Sequence, residues 1–150
     1  SRIEHPKLSR CYFRIVSRAI NMALIYKDVI IADLGKIEIA DKLAEMADFL
    51  IRVDDVKWAL CMGEYDNNLY FSMRTTIRKA NAGLLAKKMT QKNGSGGGHS
   101  MVAGGRIPSS DKYQEQADLL RKRFLKEVKR EDIKGELLAG SFPEPARETI

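Results

Sequence analysis

The stretch Gly94-Ser95-Gly96-Gly97-Gly98-His99-Ser100-Met101-Val102-Ala103-Gly104-Gly105-Arg106-Ile107-Pro108 decides how the rest of the chain is read. Six glycines fall within twelve residues, around one of only two histidines in the molecule. Glycine at this density gives up backbone entropy, which an ordered structure tolerates where side chains would block a close approach. One such approach is that of main-chain N–H groups to an anion. Successive amides in a glycine loop converge into an anion-binding nest, the more so where a helix begins just after it. Ser100–Ala103 reads as a short helix, which would set His99 at its N-terminus beside the anion. Gly105–Pro108 then reads as a short edge strand closed by proline. A flexible linker is the competing reading, and the apolar Met101-Val102-Ala103 followed by Arg106-Ile107-Pro108 speaks against it.

The charge distribution points to the same region. The chain carries 26 Lys and Arg against 20 Asp and Glu, a net charge of +6. The whole excess lies between Asn67 and Ser110, where Arg74, Arg78, Lys79, Lys87, Lys88, Lys92 and Arg106 meet no acid at all. A field concentrated in this way favours an anionic partner such as a nucleotide or oligonucleotide over a merely solvated basic face.

With 150 residues, 44% apolar and 31% charged, the chain suits one core-bearing domain and excludes gross disorder. No apolar run approaches the roughly 20 residues of a membrane helix, so no membrane partner is expected. The chain opens Ser-Arg-Ile-Glu without Met or a signal layout, which reads as a piece of a longer cytoplasmic protein. Cys11 and Cys61 read as two buried thiols rather than a disulfide.

Hydrophobic periodicity supplies the elements. Over residues 9–21, Cys11, Ile15, Ala19 and Met22 repeat at helical spacing, with Arg10, Arg14 and Arg18 on another face. Residues 22–34 form one long strand or a tight hairpin around Lys27-Asp28, ended by Gly35. Residues 38–51 make a helix on Ile39, Leu43, Met46 or Ala47, and Leu50; Asp41 and Glu45 read as solvent-facing. A hairpin follows, with 57–63 and 69–74 flanking a turn at Glu64–Asn68. Its second strand alternates, so Leu69, Phe71 and Met73 share one face and Tyr70, Ser72 and Arg74 the other. That sets a hydroxyl beside a guanidinium, a suitable pair for a phosphate. Asn81 caps a helix over Ala82–Met89 that ends on Lys87 and Lys88. Asp111 and Gln114 open a long helix over 111–131 with a capping box, its stripe being Tyr113, Ala117, Leu120, Phe124 and Val128. The order predicts an α/β fold, a mixed central sheet of about five strands flanked by helices. Its parts are a linker and N-terminal helix (1–21), a core (22–110), a C-terminal helix (111–134) and a tail (135–150) with two prolines.

Gly96-Gly97-Gly98-His99 running on to Ala103-Gly104, after a strand bearing Ser72-x-Arg74, resembles the signature of the DHH-associated C-terminal domain of DHH phosphoesterases. That superfamily includes RecJ exonucleases, oligoribonucleases, cyclic-dinucleotide phosphodiesterases and exopolyphosphatase-related proteins. The resemblance covers residues 10 to 110, with Val102-Ala103 where two alanines are commoner. It implies the substrate-binding domain of a manganese-dependent phosphoesterase acting on short oligonucleotides, single-stranded nucleic acid or cyclic dinucleotides. His99 and the Gly96, Gly97 and Gly98 amides would grip a phosphate or terminal nucleotide, Arg74 would neutralise charge and Ser72 would donate a hydrogen bond. Arg106 would either join them or brace the sheet edge. The resemblance puts the two-manganese site, with its Asp-His-His triplet, in an N-terminal DHH domain of the same chain. This sequence has only His5 and His99 and no such triplet, so no catalytic residue or metal ligand is expected in it. Two alternatives stay open. One is a non-enzymatic nucleic-acid-binding module like the C-terminal domain of alanyl-tRNA synthetase, which would leave room for a homodimer. The other is a polyphosphate hydrolase, which needs no base stacking; Tyr70 is the one aromatic positioned to stack.

Overall fold

Asp66 and Asn67 both hold positive φ, 49° and 59°, which suits a two-residue hairpin turn of the primed type. The turn folds β3 (Trp58–Tyr65) onto β4 (Asn68–Thr75), so both strands run further than the sequence suggests and the loop shrinks to two residues. A second hairpin joins β1 (Leu24–Tyr26) to β2 (Val29–Lys36) through Lys27. β2 then crosses over through α2 (Lys42–Leu50) to lie parallel to β3. This computed structural model describes residues 3–140.

The glycine stretch forms strands. β5 (Ser95–Gly98) pairs with β6 (Val102–Pro108), and β6 pairs in turn with β4. Ser100–Ala103 is therefore not a helix. His99, Ser100 and Met101 make a tight turn in which the His99 amide donates to the Val102 carbonyl at 2.7 Å. Gly105–Pro108 belongs to an inner strand, because β5 takes the edge. With β7 (Glu136–Leu137) beside β1, the mixed sheet has seven strands in the order β5-β6-β4-β3-β2-β1-β7. The two beyond the expected five are β5, whose glycines show no alternation, and β7, too short to show any.

Helices cover the two faces unequally. α3 (Ala82–Met89) and α4 (Tyr113–Glu127) close one face over Leu60, Met62, Phe71, Met73, Leu120 and Phe124. On the other, α1 (Arg10–Met22) lies on β2 and α2 on β3 and β4, burying Ile30, Leu34, Leu43, Met46, Leu50 and Cys61. Ile39 precedes α2 and is exposed, as are Cys11 and Met22 on α1. Both thiols are free, and only Cys61 is buried. α4 begins at Tyr113 without the capping box: its N-cap, Lys112, makes no side-chain bond, and the Gln114 amide donates to Asp118 instead. After α4, Arg130 donates to both Asp28 carboxylate oxygens (2.8 and 3.1 Å) and returns the chain to the sheet, where residues expected to begin the tail supply β7. The proline-bearing part of that tail, 141–150, lies outside the described residues. No helix among the described residues is long and apolar enough to cross a membrane.

α3 rests directly on β5. A Cβ on Gly83 would stand 2.5 Å from the Gly98 carbonyl oxygen, and one on Gly96 would stand 2.7 Å from that of Ala86. The N-terminus of α3 is filled by the same region: Ala82 donates to the Ser100 carbonyl (2.9 Å), Gly83 to that of His99 (2.8 Å) and Leu84 to the Asn81 side chain (3.1 Å).

Gly83→Ala should lower unfolding free energy in urea by about 1–3 kcal/mol, since main chain cannot yield as a side chain does. Gly97→Ala meets only the flexible Lys87 side chain, at 3.7 Å, and should change stability by less than about 0.5 kcal/mol. The Arg130 guanidinium holds the Asp28 carboxyl below its usual 3.8. A depressed acid favours the fold above that pH and stops doing so as pH falls through the depressed value. Acid titration of stability should accordingly lose part of its steepness below pH 3.8 in Asp28→Asn.

Candidate functional site

Burial alternates residue by residue along β4. Leu69, Phe71 and Met73 enter the α3–α4 core, so Tyr70, Ser72 and Arg74 face the α2 side as the alternation predicts. Register carries the pattern outward. Tyr70 lies opposite Arg106 and Arg106 opposite Ser95; Ser72 lies opposite Gly104 and Gly104 opposite Gly97; Arg74 lies opposite Val102. The middle row is thus one hydroxyl followed by two residues without side chains.

Because α2 reaches no further than β4, this row lies open as the floor of a cleft of about 520 Å³. Its walls are Ala40, Asp41 and Ala44 at the start of α2, with Tyr70 and Arg106 across from them. The Tyr70 ring is steadied edge-on by Tyr65, centroids 6.0 Å apart. Arg106 is exposed and makes no ion pair among the described residues. Cys61, beside Ser72 on β3, is fully buried, and burial pushes its thiol up to about 12. The site therefore offers a hydroxyl, a guanidinium and a floor bare of side chains beyond Ser72. It contains no poised nucleophile.

Of the residues singled out from sequence, Ser72, Gly96, Gly97 and Arg106 line the cleft. Gly98, His99 and Arg74 do not. The three glycines form no nest, since consecutive amides of a strand point in alternate directions. His99 is exposed in the β5–β6 turn, and its main chain serves the start of α3. Arg74 is engaged elsewhere. Its Nε donates to Asp48 on α2 at 2.6 Å and its Nη1 to the Met73 carbonyl at 2.9 Å, with the side chain only 11% exposed. Ser95, Gly104, Ala40 and Asp41 were not anticipated as lining residues. Their placement depends on register and on a crossover, to which no local pattern in the sequence points. Among the described residues no group of three or more His, Cys, Asp or Glu is placed to hold a metal; these residues do not fit a manganese centre.

Residues 21–129 match the family model of the DHHA1 domain, and the chain belongs to that family. An uncharacterized protein of Methanocaldococcus jannaschii is 27% identical over 107 residues, which is 71% of this chain; the chain spans 22% of that relative's length. Three solved structures share the fold. An exopolyphosphatase-related protein from Bacteroides fragilis has a TM-score of 0.65 at 18% identity, covering 80% of this chain and 36% of that one. The C-Ala domain of Aquifex aeolicus alanyl-tRNA synthetase has a TM-score of 0.53 at 19% identity, covering 67% and 96%. A pGpG-specific phosphodiesterase from Vibrio cholerae has a TM-score of 0.51 at 13% identity, covering 77% and 39%. The fold of this DHHA1 domain thus recurs in these three proteins.

If Arg74 is a clamp between β4 and α2, Arg74→Ala and Asp48→Ala should each destabilise the fold. Their double-mutant cycle should give a coupling of about 0.5–1 kcal/mol, because Asp48 is largely in solvent.

Proposed function

We propose that this chain is the substrate-binding domain of a DHH-family phosphoesterase that acts on short oligonucleotides or nucleotides. The catalytic manganese site lies in a DHH domain N-terminal to it, and the protein works in the cytoplasm. The observation that carries this reading is the open row Ser72, Gly104 and Gly97, bounded by the exposed guanidinium of Arg106. A phosphate on that row approaches main chain without hindrance and takes a charge-assisted bond from Arg106. Asp41 and Tyr70 on the walls favour a nucleotide over a bare polyphosphate. A carboxylate repels a ligand that is all phosphate but accepts from ribose hydroxyls or exocyclic amines, and an aromatic face stacks a base.

Calorimetric titration with a 5′-nucleoside monophosphate and a dinucleotide tests the reading. Arg106→Ala should cost about 1.5–3 kcal/mol of binding, and Arg106→Lys nearly as much, because an ammonium lacks the planar fork. Gly97→Ala should abolish binding while the fold survives. With manganese added, residues 1–150 alone should leave a labelled dinucleotide intact, whereas a chain including the upstream domain should cleave it. Tight binding of tripolyphosphate with none of the nucleotides would replace this reading with a polyphosphate hydrolase. Binding of folded tRNA alone would replace it with an alanyl-tRNA synthetase-like module.

A further inference from the structure

Several basic residues gather behind the sheet, on the face away from the cleft. Lys88 and Lys92 come from the end of α3 and the segment after it, and Arg123 and Lys126 from the last turns of α4. With Gln91 they line a groove of about 240 Å³. Glu127 is the one acid lining it, and it is paired with Lys88 at 3.0 Å. Lys92, Arg123 and Lys126 make no ion pair among the described residues. Like charges brought together from two elements repel one another, so nothing in the packing of α3 on α4 accounts for them.

Lys87 connects the two faces. It belongs to α3, behind the sheet, yet its Cε lies 3.7 Å from where a Cβ on Gly97 would stand, on the floor of the cleft. The cations thus run from Arg106 in the cleft, past Lys87 at the β5 edge, to Lys92, Arg123 and Lys126. Beyond the Lys88–Glu127 pair the surface continues as a hollow with exposed Leu84 and Ile77.

We propose that this series is the track of a single-stranded nucleic acid, which leaves the cleft over the β5 edge and lies in the α3–α4 groove. The domain then takes strands several nucleotides longer than the cleft can hold. The inference rests on the nucleotide reading of the cleft. A duplex cannot follow it, because DNA is stiff over about 150 base pairs and the path bends round a single sheet edge. Inorganic polyphosphate has the charge and flexibility but no use for the apolar hollow, on which bases can lie.

Fluorescence anisotropy of the full chain compares a labelled dinucleotide, a single strand of about 12 nucleotides and a polyphosphate of matching charge. The wild-type protein should bind the long strand at least tenfold more tightly than the dinucleotide. Lys92→Ala/Arg123→Ala/Lys126→Ala should remove that gain and leave dinucleotide affinity unchanged. The slope of log K against log salt for the long strand should fall by about 2, at about 0.7 per lost contact. Lys92→Ala/Lys126→Ala, which spares the half-buried Arg123, should lose part of the gain with an unchanged melting temperature. Equal affinity for both lengths, or equal losses for both in the triple variant, would overturn the track. So would polyphosphate binding as tightly as the strand through the same residues. If the long strand binds through these cations and the dinucleotide does not bind at all, the nucleotide reading of the cleft fails, and with it a track that begins there.

Discussion

The contact of α3 with β5 is the constraint on which the rest of the site depends. Two stretches of main chain can lie this close only where neither carries a Cβ, and Gly83 and Gly96 meet that condition with backbone carbonyls under 3 Å from their missing Cβ positions. The same contact draws the glycine stretch out as a strand and directs the His99 and Ser100 carbonyls to the first amides of α3. The N-terminus of α3 is thereby satisfied inside the fold, and the helix that the sequence suggested over Ser100–Ala103 does not form. Because side-chain directions alternate along a strand, committing Gly96 to α3 turns Gly97 to the opposite face.

On that opposite face, the extent of α2 decides what is open. The helix covers β3 and reaches β4 but stops there, and the Arg74–Asp48 pair fastens its border to the sheet. Ser72 lies just past that border, with two glycines beyond it. One arginine of the region thus holds the wall in place, and another, Arg106, stands exposed at the cleft with no ion pair among the described residues.

Much of this was legible in the sequence wherever side chains keep a local period. The alternation of Leu69, Phe71 and Met73 placed Ser72 correctly, and the spacing of Leu43, Met46 and Leu50 placed the buried face of α2. Asn81 was readable as a cap because its acceptor serves an amide three residues on. What escaped was non-local or lacked side chains. β5 has no pattern because glycine cannot show one. The pairing of Ser72 with Gly104 is a matter of register between distant strands, and Arg74 meets an acid 26 residues away that nothing nearby in the chain announces.

A floor made of main chain has a consequence for how such a site can diverge. Peptide N–H and C=O groups are the same whatever residue bears them, so past Ser72 the floor has no side chain to exchange, and a Cβ added at Gly97 can only obstruct it. Substitution acts most freely at the rim, where Asp41, Tyr70 and Arg106 arrive from three separate segments; Asp41 and Arg106 are exposed, and Tyr70 is half-buried against the core under α1 and α2. Selection could therefore exchange one ligand for another at the rim without repacking the interior. The main-chain floor would be inherited with little change by descendants whose ligands share little else.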